Sequence, residues 1–364
     1  MKSAVRRHRT QLGYLLGCAM AVLSSAALAG ATPVAPSTRI PFIAGLTVVR
    51  ATSEPRGDYE NLLTITEISP AGYALQAAGE IPADDGSGLM KVNIVRRVRA
   101  DDRRGARKIR SFFHTGDPEQ FNGTVPGMSM VMLSDLHGAG RTQISFQQIG
   151  VLAGFTWVKR TLSGSLVRID GPPATTPMLV NGRRLQLPVV HAKGRLGDSE
   201  GSEEFEYFIL DNPGNPIILR SRGYKFSSAV IKIEYPEPKQ SVSQIESELS
   251  AHKSAEVYGI YFSFARADIR PQSERVLKEI AGVLTQHPDW KLVISGHTDG
   301  IGDAASNLDL SRRRSAAVKA ALVERYRIAA TRLVTDGFGE SQPKASNDRP
   351  EGRALNRRVE LTRQ

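Results

Sequence analysis

At 364 residues, with 40% apolar and 23% charged side chains, the chain has room for two domains and a composition that excludes wholesale disorder. Its formal charge of +11 favours anionic surroundings, namely cell-wall polymer, lipid phosphate or nucleic acid, without choosing among them. A single cysteine, Cys18, excludes an intrachain disulfide.

The N-terminus predicts an export signal over 1–29. Lys2, Arg6, Arg7 and Arg9 precede an apolar stretch over 12–28, and Ala27-Leu28-Ala29 offers a small-x-small cleavage site before Gly30. The alternative is a retained anchor, but a spanning helix needs about 20 apolar residues and this core is shorter. Leu15-Leu16-Gly17-Cys18 resembles a lipoprotein cleavage box; apolar sequence continues past Cys18, and Leu16 fits its position poorly, so lipidation is the weaker reading. No second long apolar run follows. Export also argues against nucleic acid as a partner.

A flexible leader over 30–40 gives way to a β-rich domain over 41–235. Segments 62–68, 73–77, 92–98, 128–133, 143–149, 155–160, 165–169, 205–210, 217–220 and 229–235 read as short strands. Ser69-Pro70-Ala71-Gly72, Gly171-Pro172-Pro173, Asn181-Gly182 and Asn212-Pro213-Gly214-Asn215-Pro216 punctuate them. Many short strands at this spacing predict an all-β unit, either a sandwich or a curved sheet or barrel. An outer-membrane barrel is the further alternative. Against it stand short strands, a single tryptophan within 41–235 (Trp157) and interrupting charges such as Arg96-Arg97-Val98-Arg99. Residues 91–110 carry nine Lys or Arg against Asp101 and Asp102. They read as a solvated hairpin, or alternatively as a contact for lipopolysaccharide or head-group phosphates.

Residues 236–253 read as a linker. Pro236 and Pro238 stop the last strand, and Ile245 and Leu249, four apart, allow a short helix within it. Beyond it, over 254–364, the period changes from strand-like to helix-like. Segment 260–264 reads as a strand and 271–286 as an amphipathic helix with Val276, Leu277, Ile280, Val283 and Leu284 on one face. Strand 291–295, helix 308–326, strand 333–335 and a final strand 359–361 follow, a βαβαβ-β layer. The whole chain is therefore α+β: an all-β unit followed by an α/β unit.

Asp299 follows a strand across Gly296, in a loop that Gly300 and Gly302 would leave mobile, and open α/β sheets hold ligands at the carboxyl ends of their strands. Arg314 lies one to two turns into the next helix, where its guanidinium can offer a planar fork to a carboxylate. Such a pair suits a ligand carrying ammonium and carboxylate on one carbon. The alternative is that the two form a plain surface ion pair or never meet. Each charge-assisted hydrogen bond contributes about 1.5–3 kcal/mol when shielded, which suits reversible attachment.

Residues 258–364 resemble the OmpA-like peptidoglycan-binding domain of Gram-negative outer-membrane proteins, peptidoglycan-associated lipoproteins and flagellar stator proteins. Five segments carry the resemblance, in the family's order and spacing. They are Tyr258-Gly259-Ile260-Tyr261-Phe262-Ser263-Phe264; Gly296-His297-Thr298-Asp299; Asn307 with Leu310-Ser311 and Arg314; Gly337-Phe338-Gly339-Glu340-Ser341 with Pro343; and Glu351-Gly352-Arg353-Ala354 with Asn356-Arg357-Arg358-Val359-Glu360. The resemblance implies noncovalent binding of peptidoglycan in the periplasm or at the outer membrane. In it, Asp299 takes the ammonium and Arg314 the carboxylate of diaminopimelate, with Thr298, Asn307, Leu310, Phe262, Ser263 and Phe264 lining the site. Family members often carry an acid where this chain has Ala265, which weakens one peripheral contact. No cofactor, metal or catalytic residue is implied. The β-rich unit would dock on an outer-membrane or envelope partner; alternatively it acts on cell wall or glycan, and the C-terminal unit targets it. His297 reads as structural because no second His or Cys stands at ligand spacing. Arg312 and Arg313 read as solvated, or as a general attraction for anionic polymer. Asn356-Arg357-Arg358 reads as a stitch for the last strand.

Overall fold

A computed structural model describes residues 39–364, apart from 55–56, 83–88, 111–119, 121, 153–155, 172–173, 224–225, 237–242 and 263–264. The expected export signal and nearly all of the leader lie outside the described residues.

The N-terminal part is built on β1 (Thr47–Glu54), β2 (Gly57–Ser69), β3 (Gly72–Pro82) and β4 (Leu89–Arg99), an antiparallel meander. Helix α1 (Ala100–Gly105), β5 (Lys108–Arg110) and α2 (Met130–Gly138) come next. Seven strands complete it: β6 (Arg141–Leu152), β7 (Thr156–Arg168), β8 (Ala174–Val180), β9 (Arg183–Asp198), β10 (Gly201–Leu210), β11 (Ile218–Gly223) and β12 (Phe226–Glu234). All twelve strands form one sheet in the order β4-β3-β2-β1-β12-β11-β10-β9-β7-β6-β5, and β8 bridges β9 and β12. Because β8 pairs antiparallel with β9 and parallel with β12, strands β8 to β12 close a circuit, so the sheet curls into a barrel rather than forming a sandwich. Met178, Val180, Leu187, Val189, Leu219 and Val230 from this circuit are buried in a common core. A transmembrane barrel has the reverse polarity, with its apolar row turned to lipid.

Two sequence expectations are corrected in this half, and one strand is added. Segment 128–133 is not a strand, since α2 starts within it. The Ser129 hydroxyl caps the helix by accepting from the Met132 amide at 3.2 Å, and Met132, Leu133 and Leu136 are buried at helical spacing. Six residues, five of them apolar, fit either element, and the cap decides. Strand β1 had no expectation because it does not alternate: Val48, Val49, Arg50, Ala51 and Thr52 are buried in succession. Val48 packs into the β-sheet core on one face, while Val49 and Ala51 join another cluster on the other. Finally, the basic run 91–110 is a strand, a helix and a strand, not a hairpin. Its charges are largely met within the fold, through Arg97 with Glu67, Arg99 with Asp102, Arg104 with Asp101 and Arg107 with Asp135.

The C-terminal part comprises α3 (Gln244–His252), β13 (Ser254–Val257), α4 (Glu274–Gln286), β14 (Leu292–His297), α5 (Ala304–Tyr326), β15 (Leu333–Gly339), α6 (Pro350–Asn356) and β16 (Val359–Arg363). Its sheet runs β13-β16-β14-β15, with β14 and β15 parallel and β16 antiparallel to β13 and β14. Leu277, Ile280 and Leu284 of α4 and Val318 and Leu322 of α5 pack on Leu292, Ile294 and Leu361 of the sheet. The first strand is 254–257 rather than 260–264; Phe262 forms only an isolated bridge with Ile269. Helix α3, expected inside a linker, is capped by Ser243 and buries Ile245 and Leu249 in this same core.

Both sheets lie in one compact unit, Thr38–Gln364. Val49, Ala51, Leu62 and Ile231 of the large sheet meet Ala354 of α6 and Tyr261 in an apolar seam. Ion pairs ring it: Arg220 with Glu351 at 2.5 Å, Arg184 with Glu256 at 2.9 Å, Arg270 with Glu80 at 3.2 Å and Arg353 with Asp58 at 3.6 Å. The Lys232 ammonium donates to the Tyr258 carbonyl within the seam.

Leu249 is fully buried, so Leu249→Ala is expected to cost about 2–5 kcal/mol in denaturant unfolding of the C-terminal part. A tether would tolerate the change without cost.

Candidate functional site

Strand β14 ends at His297, and the chain turns through 298–303 into α5, whose start is capped by Asp303. The Asp303 carboxylate accepts from the amides of Ala305 and Ser306, at 3.4 and 2.8 Å. Two glycines let the helix lie unusually close to the sheet. A Cβ at Gly296 would stand 2.2 Å from the Ser311 carbonyl oxygen, and one at Gly337 would stand 2.5 Å from both the Arg312 amide and the Ser311 hydroxyl. Ser311 fastens this approach, accepting from the Gly339 amide at 2.9 Å and donating to the Leu308 carbonyl at 2.8 Å. Arg314 is therefore carried to the same end of the sheet as Asp299.

The loop is tied rather than left loose by its glycines. The buried Asn307 amide donates to the carbonyls of Asp299 (3.3 Å) and Ile301 (3.1 Å) and to the Glu340 carboxylate (2.7 Å). The Gly300 amide donates to Asn347 at 3.0 Å, and Asn347 in turn accepts from the buried Asn356. Asn307 thus shapes the loop from behind, its amide nitrogen spent on protein acceptors.

Asp299 and Arg314 do not pair with each other. One oxygen of Asp299 accepts from the Ile301 amide at 3.2 Å; the other accepts from Arg357 at 2.5 Å. With its side chain only 14% exposed, Asp299 keeps two of its four lone-pair directions free. Arg314 donates through Nε to the Arg266 carbonyl at 3.1 Å, and its guanidinium lies 4.8 Å from the centre of the Phe262 ring. That leaves the outer nitrogens of its fork for an anion. Burial pulls the Arg314 pKa down to about 10, with Arg357 and Arg313 acting the same way and Asp299 and Glu60 opposing them. It stays a cation at neutral pH.

Arg357 completes the cluster. It spans from Asp299 to Glu60 of β2, a partner 297 positions away in the chain. Burial works to lower the Arg357 pKa, but Glu60 and Asp299 together hold it above its ordinary value. Two guanidiniums and two carboxylates thus alternate at the carboxyl end of β14.

Of the other sequence-nominated residues, Thr298 donates its backbone amide to Gly339 at 2.9 Å, and its hydroxyl is buried without a partner. Leu310 is half-buried on α5. Ser263 and Phe264 lie outside the described residues. Ala265, where the resemblance expects an acid, has φ +51°, a left-handed conformation that costs a non-glycine residue about 1–2 kcal/mol. Asn356 stitches the 344–347 loop by accepting from the amides of Lys344 and Ala345, as expected. Arg357 was placed with that stitch, yet its guanidinium reaches Asp299. Its position beside the last strand carried no signal for this, because the contact comes from the fold. Glu60 had no signal at all.

His297 is 3% exposed, stacks on Phe338 with ring centres 5.3 Å apart and lacks a hydrogen-bond partner for either ring nitrogen. Among the described residues no group of three or more His, Cys, Asp or Glu could hold a metal.

A four-stranded sheet with helices α4 and α5 packed on it, and a charged cluster beyond the end of a parallel strand, define a small α/β domain. Residues 261–357 match the OmpA family, so this part of the chain is an OmpA family domain. Over 101 residues (28% of this chain and 29% of the relative) the sequence is 40% identical to outer membrane porin F of Pseudomonas aeruginosa. Over 127 residues (35% of this chain and 33% of the relative) it is 35% identical to outer membrane protein Omp38 of Acinetobacter baumannii. Among solved structures, the peptidoglycan-associated lipoprotein of Burkholderia pseudomallei is 30% identical, with 29% of this chain and 88% of that chain covered and a TM-score of 0.27. The chain therefore spans about a third or less of the length of these two curated relatives.

Burial, followed by the charges of Arg358 and Lys344, lowers the His297 pKa to about 4, below its ordinary 6.5. The unfolded chain binds this proton more readily, so stability contributed by neutral His297 is complete above pH 6.5 and is lost as pH falls toward 4. Unfolding titrations over that window are expected to show a slope that flattens in His297→Gln.

Proposed function

We propose that this protein binds peptidoglycan noncovalently in the Gram-negative cell envelope and tethers its β-rich part, or a partner of that part, to the wall. Asp299 takes the ammonium and Arg314 the carboxylate of a diaminopimelate residue in the stem peptide. Thr298, Leu310 and Phe262 line the contact, and Asn307 holds the loop in shape. The observation that carries this reading is the arrangement at the end of β14. A carboxylate with unused acceptor directions and a guanidinium with unused outer nitrogens lie near enough for their charges to interact, yet each is held by other groups rather than by the other. A zwitterionic carbon can bridge them, with two charge-assisted contacts of opposite sense.

The OmpA family match over 261–357 and the outer-membrane relatives support placement in the periplasm or at the outer membrane, as does the export signal expected over 1–29. The protein acts in this reading as a binder, not an enzyme. The division into working parts falls between the end of β12 and the start of α3, so that α3 travels with the wall-binding part. The β-rich part then faces the outer membrane or another envelope protein.

In cosedimentation with purified Gram-negative sacculi, Asp299→Asn and Arg314→Ala are each expected to reduce binding at least tenfold, roughly the value of one shielded charge-assisted hydrogen bond. Free meso-diaminopimelate is expected to compete with the sacculi. Undiminished binding by both variants would reject the assignment.

A further inference from the structure

The wall-binding cluster is not left to the C-terminal part alone. Glu60, near the start of β2, reaches across the seam and pairs with Arg357. Arg357, drawn by Glu60, in turn fills one face of the Asp299 carboxylate, where an ammonium would approach. The large sheet therefore helps hold, through Arg357, a cation on the carboxylate that would take the ligand's ammonium.

The seating is supported away from the cluster. Two further acids of the same meander, Asp58 and Glu80, pair with Arg353 and Arg270 of the C-terminal part. Strand β2 thus presents Asp58 and Glu60, and its neighbour β3 presents Glu80, to a row of arginines. Beneath these pairs, Val49, Ala51, Leu62 and Ile231 pack with Ala354 and Tyr261. Ala354 lies on α6, the short helix that leads into Arg357, so apolar packing and ion pairing fix the same segment.

We infer that this arrangement is a self-occluded state, in which Glu60 of the large sheet holds Arg357 on Asp299, in the place of the ligand's ammonium, and must release it before a stem peptide engages the cluster. The inference rests on the peptidoglycan reading and concerns its regulation. A ligand that finds only a fraction of the molecules open binds with an apparent dissociation constant raised by that fraction. Weakening the acidic contacts of β2 and β3 raises the open fraction and tightens binding. A partner that pulls the large sheet away, for instance on the outer membrane, would switch the protein to wall attachment.

The test measures the apparent affinity of the full chain, without residues 1–29, for purified sacculi. Glu60→Gln keeps the shape and removes the charge; it is expected to tighten binding about fivefold, the scale of a partly exposed ion pair. Asp58→Asn with Glu80→Gln, which leaves the cluster untouched, is expected to tighten binding as well. Asp299→Asn added to either background should abolish the gain. If binding depends on Asp299 but is unchanged in both charge variants, occlusion is wrong and peptidoglycan recognition stands. If Glu60→Gln weakens Asp299-dependent binding, Glu60 is a ligand contact rather than a competitor, and occlusion is again overturned. If no variant shows Asp299-dependent binding, the peptidoglycan reading fails and occlusion falls with it.

Discussion

The close approach of α5 to the strands β14 and β15 governs the C-terminal part. Where Gly296 and Gly337 lack side chains, the Ser311 backbone and hydroxyl move into the space, and a Cβ at either glycine would collide with them. Ser311 then bonds the Gly339 amide and its own helix at once. This seating fixes Asn307 one turn earlier, where its amide gathers the 299–301 loop, and Arg314 one turn later, over the Phe262 ring. Any residue larger than glycine at 296 would lift the helix and separate the two charges that the loop and the helix bring together.

Around that frame, electrostatics is shared rather than pairwise. Arg357 is stabilised as a cation by two carboxylates, one from its own part of the chain and one from the large sheet. Arg314 is half-buried, and burial, followed by the charge of Arg357, lowers its pKa to about 10. An arginine in that state has more to gain from an incoming carboxylate than a fully paired one. This asymmetry supports the proposed roles of Arg314 as anion receptor and Arg357 as bridge.

The legible part of the fold was the part with a clear period. Val276, Leu277, Ile280, Val283 and Leu284 mark α4 without ambiguity, and all five are buried. The alternating 205–210 segment is β10, with Phe205, Tyr207 and Ile209 inward. Misreadings came where local pattern and tertiary cover disagree. Strand β1 has no alternation because apolar groups cover both its faces. Segment 128–133 is too short a run to outweigh a serine cap. Helix α3 looked like a polar linker because only Ile245 and Leu249 face its core, and two large apolar residues in nine leave a short signature.

By itself the sequence determined the class: an α+β chain with a β-rich half, an α/β half, and the Asp299 and Arg314 motifs at the spacing of an OmpA family domain. Those features are local, since they depend on residues close along the chain whose side chains a helix or a strand end presents by geometry alone. The tertiary structure decided the curl of the twelve-stranded sheet into a closed circuit, the role of Arg357 and the arrival of Glu60 at the cluster. Strand closure pairs Leu179 with Lys232, and the Glu60–Arg357 ion pair joins residues 297 positions apart; neither period nor motif encodes such meetings, and the ion pair follows only when burial of the apolar seam brings β2 against α6.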